Sequence, residues 1–130
     1  MKDILDQEIK IGDLIAYTTI IGRSANLGLY EVRGFTDSGK MRCHPIAKSY
    51  NTGRDFLITV PGIGDFQHNK VIYDPKLGNF RLKNKEDLQT EYDKTTFLSM
   101  GERCIILNGD SADIIKEILY QQRLDIENAI

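Results

Sequence analysis

The 130-residue chain reads as a mainly β protein with an α-helical end. The expected fold is a small barrel or strongly curved antiparallel sheet, with a C-terminal amphipathic helix packed on it. Three observations predict that class. Apolar and polar residues alternate with period two through the first half, short glycine- and aspartate-bearing turns join the alternating runs, and the last segment changes to helical spacing. A chain of this length buries one complete core rather than two. A single domain over residues 1–130 is therefore expected, with a barrel-like core at 9–82 and a central strand plus helix at 96–130.

The elements follow in order. "IGDLIAYTTII" (Ile11 to Ile21) opens at a Gly-Asp turn and continues in β-branched and aromatic residues, which favour a strand. "GRSANLG" is expected to be a polar loop, after which "LYEVRGFT" puts Tyr30 and Val32 on one face and Glu31 and Arg33 on the other. In "DSGK", Asp37 can bond backbone amides and Gly39 can supply the positive φ of the turn. "KMRCHPI" then returns with Met41 and Cys43 inward and Lys40, Arg42 and His44 outward, and Pro45 suggests a strand end or edge.

"AKSYNTGR" is expected as a loop, "DFLITVPG" as a fourth strand, and "KVIYDPKLGNFRLK" as a second hairpin turning between Asp74 and Gly78. Asn84 can cap a single helical turn. The apolar run Arg103 to Leu107 is expected to be a central strand. In the final helix Asp110 or Ser111 is the expected N-cap, and Ile114, Ile115, Ile118 and Leu119 form one stripe, with Leu124, Ile126 and Ile130 off it. That stripe covers one side of the sheet, or docks on a partner or a second copy.

Two cysteines, Cys43 and Cys104, without a C-x-x-C spacing or a secretory leader, point to a reducing cytoplasm and away from a zinc site or a disulfide framework. A bridge between them stays open as an alternative to two core thiols. The N-terminus has no long apolar run, so no membrane contact is expected. His44 and His68 lie on different elements with no ligand spacing, so no metal and no cofactor are expected. Cys43 and His44, as strand neighbours, point to opposite faces and make no nucleophilic pair. The acids Asp55, Asp65 and Asp74 read as turn residues, "VPGIGDF" lacks the Lys-Ser/Thr ending of a phosphate loop, and "ILNGDSAD" already carries its own acids. No catalytic residue is assigned and no enzymatic activity is expected.

Formal net charge is −2, but the cations concentrate between Ile21 and Phe56 and the acids from Lys83 onward. Such asymmetry suits a polyanion. Lys40, Arg42 and His44 recur at two-residue intervals, ~7 Å apart on a strand, near the spacing of phosphates along one nucleic-acid strand. Arg23, Arg33, Lys48 and Arg54 would widen the row, and Tyr30, Phe35 and Tyr50 are available for stacking. The expected partner is nucleic acid, DNA or RNA, bound by phosphate neutralisation; the alternative is a protein-interaction module that binds or inhibits a host factor without nucleic acid.

The succession "IGDLIAY", loop, "GLYEVRGFTDSGKMRC" resembles the opening of small SH3-like barrels of the KOW and Tudor kind, over about residues 9–46. The resemblance implies a barrel that binds RNA, DNA or protein and seldom does chemistry. A Tudor-type cage would draw on Tyr17, Tyr30, Phe35 and Tyr50. The size and compact hairpin style also resemble host-modulating proteins of large phages.

Overall fold

A computed structural model describes residues 1–21, 24–51, 56–59 and 71–129. The protein is mixed α/β, built mostly from antiparallel sheet, with a long C-terminal helix. Strands β1 (Leu14–Ile21), β2 (Ser24–Phe35) and β3 (Met41–Asn51) form a meander. On the far side of β3, β4 (Phe56–Thr59) pairs with Lys48–Asn51 and β7 (Thr96–Leu98) with Met41–Cys43. A 3-10 turn, Gly101–Arg103, carries the chain from β7 to β8 (Cys104–Ile106), which returns to pair with β1. Between β4 and β7 lie a separate hairpin, β5 (Val71–Asp74) with β6 (Asn79–Leu82), and helix α1 (Lys85–Asp93). Helix α2 (Gly109–Asn128) ends the described chain.

Register explains the core. Ile15 lies opposite Tyr30 and Ile106, Tyr17 opposite Cys104, Val32 opposite Cys43, and Met41 opposite Leu98. These residues share one face and, with Ile9 and partly buried Met1 and Ile106, make an inner core to which no described helix contributes. The opposite face carries Leu14 and Ile46, on which Ala112, Ile115 and Leu119 of α2 pack. Each such side chain, fully enclosed, contributes roughly 1.5 to 3 kcal/mol.

The N-terminal segment closes the free edge of β8. The Ile4 amide donates to the carbonyl of Cys104 (2.9 Å), and the Asp3 carboxylate accepts from the Ile106 amide (3.0 Å). Burial opposes the charge on Asp3, but hydrogen bonds from Ile106, Gln7 and Leu5 outweigh it and hold the carboxyl below its usual range. Gly101 is required by the same closure, since a Cβ there would come 2.1 Å from the Lys2 carbonyl oxygen.

Several expected elements are borne out. Met41 and Cys43 are buried while Lys40 and Arg42 are exposed, Gly39 has φ 84°, the second hairpin turns through Asp74 to Gly78, and α2 covers one side of the sheet. Asn84 caps α1 in a capping box with Asp87, although the helix runs nine residues rather than one turn.

Others are corrected. Ser24–Gly28 and Ala47–Asn51, expected as loops, belong to β2 and β3, because cross-strand pairing recruits these polar stretches into the meander. Pro45 does not end its strand; the chain passes it with a register shift opposite Leu29 and Tyr30. Thr36, not Asp37, bonds the turn amide of Lys40. β8 is an edge strand rather than a central one, its outer groups taken by Asp3 and Ile4. The α2 N-cap is Asn108, Ile114 is exposed, and Ala112 and Ile126 are buried in its place.

Candidate nucleic-acid interface

The outer face of β2 and β3 is divided along its length. At one end Tyr92 of α1 packs on Arg33 and His44, and Ile115 and Leu119 of α2 pack with Ile46; at the other, near the β2–β3 turn, Lys40 and Arg42 are exposed. This division sorts the expected site residues.

His44 lies under the helices at 3% exposure, which corrects its expected outward position. Its Nδ1 donates to the Lys94 carbonyl at 2.8 Å, and its ring meets Tyr92 with centroids 5.5 Å apart. Burial is the main influence holding its pKa below the ordinary histidine value, with the Arg33 charge acting in the same direction and the Lys94 bond and Glu31 opposing. Arg33 is also withdrawn. Its Nε donates to Glu31 (2.9 Å), its guanidinium sits 4.4 Å from the Tyr92 ring centroid, and a second nitrogen donates to the Tyr92 carbonyl. Both residues therefore clasp α1 to the sheet instead of facing a ligand.

Tyr30 is removed from the stacking set as well. It is buried in the inner core, edge-on to Tyr17 at 6.4 Å, and Tyr17 accepts from the Met100 amide. The same burial takes both tyrosines out of any Tudor-type cage. The side chains of Arg23, Lys48, Tyr50 and Arg54 lie outside the described residues, as do His68, Asp55, Asp65 and the "VPGIGDF" segment.

What remains together is a corner. Across three strands, Gly34 lies opposite Arg42 and Arg42 opposite Phe97. With no side chain at Gly34, the Arg42 guanidinium lies across it, 3.2 Å from where a Cβ would stand. Lys40 and Lys94 are exposed nearby in the chain, and Lys40, Arg42 and Lys94 make no ion pair with any described residue. Phe97 is 58% exposed; Phe35, at the end of β2, is 42% exposed but pairs with Met41 on the other face, which takes it out of the stacking set. Phe97 and Lys94 were not among the sequence candidates. Their only sequence signal is that the apolar pair Phe97–Leu98 follows two threonines and a lysine, and nothing local says that this stretch pairs with β3.

The remaining chemistry is sparse. Both cysteines are free and buried in the inner core. Burial above all, then the other cysteine, pushes the Cys43 thiol up to about 12; burial, then Asp3 and Glu102, pushes Cys104 up to about 11. A disulfide-exchange reagent is expected to leave both thiols unmodified in the folded protein and to react with both after unfolding. Rapid modification of the native protein would contradict their placement. Asp74 is a turn carboxylate, accepting from the Lys76 amide and from Arg81. Among the described residues no group of three metal-ligating side chains converges, and no helix is long and apolar enough to cross a membrane.

No family model, curated protein or solved structure matches this chain.

Proposed function

We propose that this protein is a non-enzymatic small-barrel module of the SH3-like kind that binds single-stranded nucleic acid at the Arg42–Phe97 corner. The barrel reading is supported by the succession of three meander strands, a fourth on β3, a 3-10 turn and a fifth returning to β1, around a core without helical residues. The binding reading rests on one observation: an arginine with no ion pair among the described residues and an exposed phenylalanine are direct cross-strand neighbours. Phosphates meet Arg42, Lys40 and Lys94, while a base stacks on Phe97. No base-edge donor or acceptor is required, so binding is sequence-tolerant.

The test is fluorescence anisotropy with short mixed-sequence DNA and RNA strands. Three phosphate contacts give a log–log salt slope of roughly −2, so affinity is expected to fall about 20-fold between 50 and 200 mM salt. Arg42→Glu is expected to weaken binding at least tenfold at low salt, and Phe97→Ala by about 1–3 kcal/mol. Absence of binding at low salt, or Arg42→Glu binding as tightly as the native protein, removes the reading.

Host-factor binding without nucleic acid is the reading that remains if the corner proves inert.

A further inference from the structure

The β5–β6 hairpin presents opposite chemistries on its two faces. Arg81 on one face donates to Asp74 (2.9 Å) and, through two nitrogens, to Asp87 of α1 (2.6 and 3.2 Å), which fastens the hairpin to the helix N-terminus. Register places Val71 opposite Leu82 and Tyr73 opposite Phe80, so these four side chains share the other face. Tyr73 and Phe80 meet edge-on at 5.5 Å. Tyr73, Phe80 and Leu82, and Leu77 at the turn, are each more than half exposed.

A two-stranded ribbon is marginal in water unless something packs on its apolar face. We infer that this face is a self-association surface, on which the hairpin of a second copy packs face to face about a two-fold axis. Two properties select that occupant. The four residues sharing the face carry no charge, so a polyanion or a charged peptide finds no partner there, whereas an identical neutral surface does. The exposed parts of Tyr73, Phe80, Leu82 and half-buried Val71 amount to on the order of 500 Å² per copy. Two copies together bury about 1,000 Å², the lower bound of specific interfaces, which suits a reversible dimer rather than an obligate one. The interface is isologous, with each Tyr73–Phe80 pair meeting its equivalent, and such an arrangement closes at two copies.

This association is independent of the corner site, and its test needs no ligand. Sedimentation equilibrium of the full chain from about 1 to about 500 µM is expected to show the mass rising from 14.8 kDa to twice that value, with a dissociation constant in the tens of micromolar. Leu82→Glu and, separately, Phe80→Lys are expected to raise that constant more than tenfold while leaving far-ultraviolet circular dichroism unchanged. Ile114→Glu, at an exposed position on α2, is expected to leave it unaltered. A monomer throughout the range, growth beyond two copies, a dimer that survives both hairpin variants, or one abolished by Ile114→Glu would each overturn the inference.

Discussion

Ile15→Ala is expected to destabilise the protein by about 2–5 kcal/mol, a large part of the roughly 5–15 kcal/mol that holds a domain together. Ile15 is fully buried, sits on the middle of three consecutively paired strands, and faces Tyr30 on one side and Ile106 on the other. Truncating it opens a cavity that cannot collapse without shifting both neighbours, because sheet hydrogen bonds fix their spacing. Ile114→Ala changes the same side chain at an exposed helix position and is expected to stay within about 0.5 kcal/mol. Urea unfolding of the two variants measures the difference. Equal costs would mean that the inner face of the sheet is not the core.

The second large effect concerns pH. In the folded state His44 is held neutral, chiefly by burial beneath the helices and further by Arg33, against the Lys94 bond, Glu31 and Gln122. Its folded pKa therefore lies below the ordinary 6.5, and at mildly acid pH the unfolded chain binds more protons than the folded one. Stability from this group is complete above that value and declines as pH falls below it, levelling off only beneath the folded pKa. The expected structural consequence is loosening of the clasp in which Tyr92 of α1 covers His44 and Arg33. Unfolding followed between pH 7.5 and 5 is expected to lose stability in the native protein and much less in His44→Gln, which keeps a polar group for the Lys94 carbonyl. Parallel profiles for the two proteins would show that His44 does not titrate as a buried group.

Strand alternation made much of this fold legible, and the same alternation explains where the site reading went astray. Period two says which side of a strand a residue occupies, and it placed Met41 and Cys43 inside and Lys40, Arg42 and His44 outside as a group. It does not say what lies over that outer side. His44 is covered by residues near position 92, some fifty places along the chain, whereas Arg42, two residues away, lies beyond the reach of the helices. Arg33 reads as a free cation because its ring partner Tyr92 belongs to a helix of which the sequence shows only a capped first turn. Polar segments such as Ser24–Asn26 have weak strand propensity and extend only because β1 offers a paired edge. The apolar run ending in β8 looked central for a comparable reason, since its free edge is closed by a carboxylate and a main-chain amide from the N-terminal segment rather than by another strand.

The corner itself was half legible. Lys40 and Arg42 follow from the turn and its alternation, while Phe97 reaches Arg42 only through a pairing between segments more than fifty residues apart. That pairing converts two isolated cations into a cation–aromatic surface. The corner draws on residues of β2, β3 and β7 and the uncharged face on residues of β5 and β6, so the two surfaces are separable by mutation.

The most direct measurement is a ¹⁵N–¹H correlation titration with a short single-stranded oligonucleotide at low salt. The largest shifts are expected at Gly34, at Lys40 to Cys43 and at Lys94 to Leu98, fading as salt is raised, with the hairpin amides of residues 71–82 unmoved. An unchanged spectrum, or shifts gathered on the hairpin while the corner stays silent, would contradict it.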